Sequence, residues 1–297
     1  MAGSAAWPNL PDMMSIPLSG SSASSTAADP QDVAAPAPSA PSGAAPGETP
    51  ALTLHGLTKR FGDTLAVDAL DMTVPRGSFY GFVGPNGAGK TTTLSMATGL
   101  LRPDAGHAAV GDVDVWASPQ RAKQAMGVLA DGVLLFTKLT GRQLVTYSGL
   151  LRGMDRATVA ERTEDLLQVL GLAEAAGKLV ADYSAGMTKK IGLAAAMIHA
   201  PQLLVLDEPF EAVDPVSART IRGLLDSYVA SGGTVILSSH VMDLVQRMCT
   251  HVGIIADGRL LDAGTTDEVR GGADLEARFV ELVGAEGGGE ELSWLRL

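Results

Sequence analysis

Short apolar runs separated by helical patterns indicate that the chain, from about residue 52 onward, alternates between strands and helices. Leu70–Val74 alternates apolar and polar residues, which is typical of a strand with one buried face. Largely apolar runs of four to seven residues predict further strands. These runs are Ser78–Val83, Val110–Trp116, Met126–Ala130, Leu203–Leu206, Thr234–Leu237 and Val252–Ile255. Alternating strands and helices predict an α/β fold, with a parallel sheet and helices on both of its faces.

Residues 133–199 form a mainly helical block between two parts rich in predicted strands. Apolar residues recur there at helical spacing, as at Val159 and Leu166, and Gly171 is expected to end that helix. We interpret about 133–187 as a helical subdomain inserted into the fold.

The first fifty residues differ from the rest in composition. They hold nine of the sixteen prolines, and Ala, Ser, Gly and Pro fill 34 of the fifty positions. Such a segment offers few side chains to bury, so we predict a disordered tail over 1–50, with a short docking motif between Trp7 and Ile16 as the alternative. The main domain is then expected over 51–272, and a C-terminal helix and tail over 273–297.

Composition and charge exclude several classes of protein. Of the 297 residues, 46% are hydrophobic and 19% charged, which rules out global disorder. The net charge of −11 argues against nucleic acid as the main partner. The single cysteine, Cys249, excludes an internal disulfide and a cysteine-based zinc site. The sequence lacks the basic start of a signal peptide and an uninterrupted apolar run long enough to span a membrane.

A glycine-rich segment between a predicted strand and a predicted helix carries the strongest chemical signal. Two glycines with four residues between them, followed by Lys and Thr, fit the P-loop pattern, in which backbone N–H groups cradle phosphates. Lys90 would reach the β- and γ-phosphates of a nucleotide, and the Thr91 hydroxyl would hold Mg²⁺. The predicted phosphate-binding residues are Gly84, Pro85, Asn86, Gly87, Ala88, Gly89, Lys90, Thr91 and Thr92.

Two carboxylates follow the most apolar predicted strand, Leu203–Leu206. The end of a buried parallel strand emerges at the ligand-binding edge of a sheet. Asp207 is therefore expected to hold Mg²⁺, through water, and Glu208 to act as the general base that activates the attacking water.

Together these pieces resemble the ATP-binding cassette (ABC) family over roughly residues 51–285. Tyr183–Met187, with Ser184 and Gly186, stands where that family has its signature motif, and Val213–Pro215 resembles its D-loop. His240 matches the position of the switch histidine, and Phe61 that of the aromatic residue that stacks on adenine. The resemblance implies a P-loop NTPase, an ABC-type nucleotide-binding domain with an antiparallel β subdomain and an inserted helical subdomain.

The same resemblance implies where these residues act. Ser184 and Gly186 would bind the γ-phosphate held by an opposite subunit, so that two ATP molecules lie between two chains. His240 would donate a hydrogen bond to the γ-phosphate, and Asp214 would lie beside the nucleotide. The family usually has Gln near Mg²⁺ at the position that Asp131 occupies, and this departure adds negative charge beside ATP.

The resemblance further implies an ATPase subunit that works with a separate membrane permease, in export, on the inner face of the cell membrane. A second nucleotide-binding subunit, identical or different, would be the other partner. An apolar run that follows Asp131, Val133–Phe136, is a candidate contact for the permease, with burial in the subdomain core as the alternative. Two other functions stay open at this stage: a soluble ABC ATPase without a transport role, and a regulatory clamp that binds ATP.

Overall fold

The computed structural model describes residues 49–132 and 135–284. Over these ranges the strands form a four-stranded and a six-stranded sheet. In chain order the strands are β1 (Leu52–Phe61), β2 (Thr64–Val74), β3 (Phe79–Val83), β4 (Ala105–Val110), β5 (Val113–Asp114), β6 (Met126–Leu129), β7 (Leu203–Leu206), β8 (Thr234–Ser239), β9 (His251–Ala256) and β10 (Arg259–Thr265).

Within the described ranges, helices follow β3, β5, β7, β8 and β10, and a block of three helices lies between β6 and β7. They are α1 (Lys90–Ala97), α2 (Pro119–Ala125), α3 (Gly141–Leu151), α4 (Arg156–Val169), α5 (Ala185–Met197), α6 (Pro215–Ala230), α7 (Met242–Met248), α8 (Thr266–Arg270) and α9 (Leu275–Val283). Short 3₁₀ turns at Ala173–Ala175 and Val180–Asp182 connect α4 to α5. No helix in the described part of the chain is long and apolar enough to cross a membrane.

The larger sheet has the strand order β10-β9-β3-β8-β7-β6. All neighbours from β9 to β6 are parallel, and β10 pairs with β9 antiparallel at one edge. The register aligns the last residue of β3, Val83, with the last residue of β8, Ser239. Because carboxyl ends of parallel strands meet at one edge, the loops after β3, β6, β7 and β8 converge there.

Both faces of this sheet are buried, which explains the continuous apolar runs. In β7, Leu204 and Leu206 pack among the helices, whereas Leu203 and Val205 pack toward α1 and the smaller sheet. The smaller sheet, in the order β2-β1-β4-β5, is antiparallel. Helices therefore lie on both faces, as predicted, but unevenly: most helices cover one face, and the antiparallel sheet, together with α1 and α2, covers the other.

Most predicted strands are confirmed, and Leu203–Leu206 has its predicted bounds. The single strand predicted at Val110–Trp116 is wrong, because β4 ends at Val110 and the chain turns at Gly111. The carboxylate of Asp114 accepts hydrogen bonds from the backbone N–H groups of Trp116 and Ala117, which turns the chain again. The sequence patterns also failed to predict β1 and β10, because the many polar residues in both strands interrupt the apolar pattern expected of a strand.

The helical block between β6 and β7 starts its helices with side-chain caps. Thr140 and Gln143 form a capping box at α3, Asp155 caps α4, and Ser184 caps α5. Gly171 lies just beyond α4 with a positive φ of 65°, as a helix terminator requires. The subdomain limit near residue 187 stays a prediction, since α5 continues through it to Met197.

Candidate functional site at the carboxyl edge of the larger sheet

The P-loop runs from the end of β3 to the start of α1. Gly87 and Gly89 have φ values of 83° and 100°, in the left-handed region that favours glycine. A Cβ on Gly89 would lie 2.5 Å from the carbonyl oxygen of Ala66, and one on Gly84 would lie 2.3 Å from that of Ile255. The tight approach of neighbouring backbone therefore excludes a side chain at both positions. This leaves a backbone cradle at a helix N-terminus, where N–H groups can face an anion.

A cleft of about 310 Å³ opens above this loop. It brings together residues from the P-loop, from the loop after β6 and from the ends of β7 and β8. The lining residues are Ala66, Asn86, Gly87, Ala88, Gly89, Lys90, Thr91, Thr92, Asp131, Glu208, Glu211 and His240. Ala66 and Glu211 were not expected from the sequence, and no motif points to either of them.

Lys90 is a buried cation at the floor of the cleft. Its Nζ donates to the carbonyl oxygens of Gly84, at 2.7 Å, and Pro85, at 3.1 Å, and lies 3.9 Å from Oε1 of Glu208. Burial lowers the pKa of Lys90, and the carboxylates of Glu208 and Asp207 oppose that shift. A cation held in this way adds positive charge where the P-loop N–H groups already favour an anion.

Glu208 and His240 form a pair at the rim of the same cleft. Nδ1 of His240 lies 3.1 Å from Oε1 of Glu208, close enough for a hydrogen bond. Glu208 also has a left-handed backbone, with φ of 45°, which is unfavourable for a residue with a side chain. Backbone strain of this kind persists only where surrounding contacts hold it. In this conformation, the carboxylate of Glu208 lies close to both Lys90 and His240.

Asp207 is buried beside the cleft and does not line it. Its Oδ1 accepts a hydrogen bond from the hydroxyl of Ser238 at 2.5 Å, and the same hydroxyl accepts from the backbone N–H of Glu208 at 2.9 Å. Ser238 thus links both predicted acidic residues. Sequence reasoning missed it; the available signal was a polar pair, Ser238 and Ser239, that ends an otherwise apolar strand.

Asp131 lies in the loop after β6 and lines the cleft. Its Oδ1 is 3.2 Å from Nζ of Lys189, which belongs to α5. The same Nζ donates to the backbone carbonyl of Glu208 at 3.0 Å. The negative charge at Asp131 is therefore paired with a lysine within the same chain.

Ser184, Gly186 and Asp214 form a separate group outside this cleft. The Ser184 hydroxyl accepts from the backbone N–H of Met187 at 3.3 Å, and the Asp214 carboxylate caps α6. Hydrogen bonds from Ser217 lower the pKa of Asp214. A Cβ on Gly186 would lie 2.9 Å from Oδ2 of Asp214, so the starts of α5 and α6 are in close contact.

Phe61 ends β1 with its ring half exposed, and Nζ of Lys59 lies 5.7 Å from the ring centroid. Phe61 does not line the cleft, so its predicted stacking on adenine stays a prediction.

Of the apolar run after Asp131, Val133 and Leu134 lie outside the described residues. Phe136 is 59% exposed and meets Tyr147 edge to face, with ring centroids 5.9 Å apart.

Comparison with known proteins identifies the family to which this chain is similar. The model of the family described as ABC transporter matches residues 67–211. The chain is similar to the daunorubicin/doxorubicin resistance ATP-binding protein DrrA of Streptomyces peucetius, with 36% identity over 75% of this chain and 67% of that protein. It is also similar to the bacitracin transport ATP-binding protein BcrA of Bacillus licheniformis, with 32% identity over 72% of this chain and 69% of that protein.

A solved structure described as that of an ATP-binding subunit of an ABC transporter agrees with the fold. The TM-score is 0.74 at 26% identity, and the match covers 78% of this chain and 99% of that chain. The predicted α/β fold of ABC type and the predicted ATPase function are thereby confirmed, and the soluble ATPase and the regulatory clamp are not favoured. The chain belongs to the ABC transporter family, as a subunit that binds and hydrolyses ATP.

Proposed function

We propose that the cleft binds ATP and Mg²⁺, and that Glu208 is its general base. The observation that carries this proposal is the position of Oε1 of Glu208, 3.1 Å from Nδ1 of His240 and 3.9 Å from Nζ of Lys90, in a cleft lined by the P-loop. The P-loop N–H groups and Lys90 bind and neutralise the phosphates. Glu208 accepts a proton from the attacking water, and His240 orients the carboxylate and donates a hydrogen bond to the γ-phosphate.

The oxygen ligands around the cleft suit Mg²⁺. In the described ranges, no cluster of three or more His, Cys, Asp or Glu side chains is arranged to hold a metal ion. Nucleotide-bound Mg²⁺ does not need such a cluster, because it takes one or two protein oxygens together with phosphate oxygens and water. We assign the Thr91 hydroxyl and, through water, the Asp207 carboxylate to this role; the bound ion would neutralise charge that develops on the phosphates.

We further propose that the working unit holds two such subunits. Ser184 and Gly186 lie at the N-terminus of α5 and do not line the cleft of their own chain. A helix N-terminus with a Ser cap is suited to an anion, so this end of α5 would bind the γ-phosphate in the cleft of the opposite subunit. Asp214, in contact with Gly186, would lie at the same interface, and Phe61 would stack on adenine.

The proposed partner outside this pair is a membrane permease. A groove of about 400 Å³ lies between β6, α3 and α5, and Leu135 and Leu151 are among its apolar lining residues. Such a groove suits an amphipathic helix of the permease.

The relatives named above concern daunorubicin, doxorubicin and bacitracin, so we propose export of a small compound. The subunit would lie on the inner face of the membrane, and the permease would select the cargo. The net charge of −11 is unfavourable for nucleic acid.

The test of the base assignment is Glu208→Gln, which keeps the shape of the side chain and removes its basicity. ATP hydrolysis should fall by about 10²-fold or more, the usual contribution of a general base, while ATP binding is retained. The variant should also accumulate an ATP-bound dimer in size-exclusion chromatography with light scattering. Glu161→Gln, on the exposed surface of α4, is the matched control and should behave as the wild type. Normal hydrolysis by Glu208→Gln would rule out Glu208 as the base.

A further inference from the structure

Lys189 joins two parts of the site that the sequence motifs treat separately. It projects from the first half of α5, five residues after the Ser184 cap. Its Nζ contacts the Asp131 carboxylate at 3.2 Å and the carbonyl oxygen of Glu208 at 3.0 Å. One ammonium group therefore touches the loop after β6 and the backbone of the proposed base.

The backbone of Glu208 needs such support because of its left-handed conformation, with φ of 45°. A residue other than glycine in this conformation costs roughly 1–3 kcal/mol unless neighbouring contacts hold it. The N–H of Glu208 donates to the Ser238 hydroxyl at 2.9 Å, and its carbonyl accepts from Lys189 and, at 3.2 Å, from the N–H of Glu211. Lys189 is the charged donor in this set, and charged hydrogen bonds are the stronger ones.

Asp131 explains why the ammonium group stays in place. Asp131 lines both the nucleotide cleft and the groove between β6, α3 and α5, and Lys189 lines that second groove. The Lys189 side chain is 19% exposed, so its charge is partly removed from water and gains from a carboxylate partner. The ion pair also offsets the negative charge that Asp131 would otherwise present to bound phosphates.

We propose that Lys189 is a positioning residue for hydrolysis, which holds the Glu208 backbone in its active conformation and is itself held by Asp131. This inference rests on the proposed role of Glu208. It assigns Lys189 no contact with the nucleotide, so its loss should reduce the rate of hydrolysis and leave ATP binding nearly unchanged.

The test compares Lys189→Met, Lys189→Arg and Lys178→Met in the full chain. Lys189→Met should lower kcat by about 10- to 100-fold, the factor that a charged hydrogen bond is worth, with KM for ATP changed less than about threefold. Lys189→Arg keeps a cationic donor and should restore most of kcat. Lys178 is exposed between α4 and α5, so Lys178→Met should match the wild type.

Asp131→Asn removes the charge of the half-exposed partner in the same ion pair and keeps Lys189 in place. It therefore still tests the contact if Lys189→Met fails to fold. It should lower kcat by less than Lys189→Met, and the double variant should be no slower than Lys189→Met alone. The proposal is overturned if Lys189→Met has wild-type kcat, if it changes KM and kcat together, or if the two substitutions add fully.

Glu208→Gln, measured in parallel, separates this proposal from the one on which it rests. An inactive Glu208→Gln together with a fully active Lys189→Met would overturn only the role of Lys189. An active Glu208→Gln would overturn both.

Discussion

The two edges of the larger sheet carry cavities of opposite character. At the carboxyl edge, the cleft of about 310 Å³ is lined by the charged side chains of Lys90, Asp131 and Glu208. At the amino edge, where β7 and β8 begin, a groove of about 650 Å³ has a mainly apolar lining that includes Leu166 and Met197. The larger cavity is thus not the one lined by the P-loop, and polarity and charge, rather than volume, distinguish the proposed ATP site.

Strand direction accounts for this contrast. At the carboxyl edge, α1 begins directly after the P-loop, so the first N–H groups of this helix have no acceptor within the helix and are suited to an anion. At the amino edge, two polar side chains are bonded inside the fold: the Tyr228 hydroxyl donates to the carbonyl of Pro201 at 2.7 Å, and Nη1 of Arg162 donates to that of Ile198 at 3.1 Å. The first edge can bind an anion, whereas the second stabilises the packing of α4, α5 and α6.

The largest effect is expected from Lys90→Ala, which removes the buried cation at the carboxyl edge. ATP affinity should fall by about 10- to 100-fold, because a charged hydrogen bond to phosphate is worth about 1.5–3 kcal/mol. Isothermal titration calorimetry measures this directly. Arg76→Ala, at the amino edge, also removes a cation and should leave ATP affinity unchanged; an equal loss in both variants would break the comparison of the two edges.

The sequence predicted the carboxyl edge better than the amino edge for a physical reason. The P-loop and Asp207–Glu208 are local segments whose chemistry depends on neighbours in the chain. Ser238 and Lys189 are 30 and 19 residues away from Glu208 in the chain, and only the strand order and the position of α5 bring them into contact with it. Local patterns cannot show such contacts. The joining of β4 and β5 into one strand has a different cause, because the turn at Gly111 is local and was overlooked within an apolar run.

The amino edge provides the next prediction, through His199. Its Nε2 lies 3.1 Å from the carbonyl oxygen of Met126, and burial, with nearby Arg152 and Arg162, lowers its pKa to about 4. An unfolded histidine has a pKa near 6.5, so between these values the unfolded chain binds more protons than the folded one. The contribution of His199 to the free energy of unfolding is therefore complete above about pH 6.5, and it is lost as the pH drops toward 4.

We expect His199 to account for on the order of 1–2 kcal/mol of that loss, after allowance for its partial exposure to solvent. Urea unfolding of the wild type and of His199→Gln, at pH 7.5, 6.0 and 5.0, measures it. The variant should lose less stability on acidification, and His107→Gln, on an exposed part of β4, serves as the control. Parallel pH profiles for all three proteins would contradict a depressed pKa at His199.

The smallest effect is expected from removing the N-terminal segment, provided that the cut is made at the right residue. Residues 1–48 lie outside the described ranges, and their composition offers few apolar side chains to bury. By contrast, the carbonyl of Thr49 accepts from Nε of Arg76 at 2.7 Å, and Ala51 donates to the carbonyl of Val74 and accepts from the N–H of Gly111. Ala51 also lines the groove at the amino edge, so the predicted tail boundary at residue 50 falls between two residues that contact the fold.

Deletion of residues 1–48 should therefore leave ATPase activity and the melting temperature unchanged, within about 1 °C. Deletion of residues 1–51 removes the contacts of Thr49 and Ala51 and should lower the melting temperature by several degrees, since each lost hydrogen bond costs about 1 kcal/mol. Differential scanning calorimetry of the two truncated chains beside the full chain provides the measurement. If the shorter deletion already lowers the melting temperature by several degrees, the segment before Thr49 packs on the domain, and a docking motif between Trp7 and Ile16 becomes the better interpretation. If neither deletion changes the melting temperature, the contacts of Thr49 and Ala51 add no stability at the amino edge, and the groove there is supported by the helices alone.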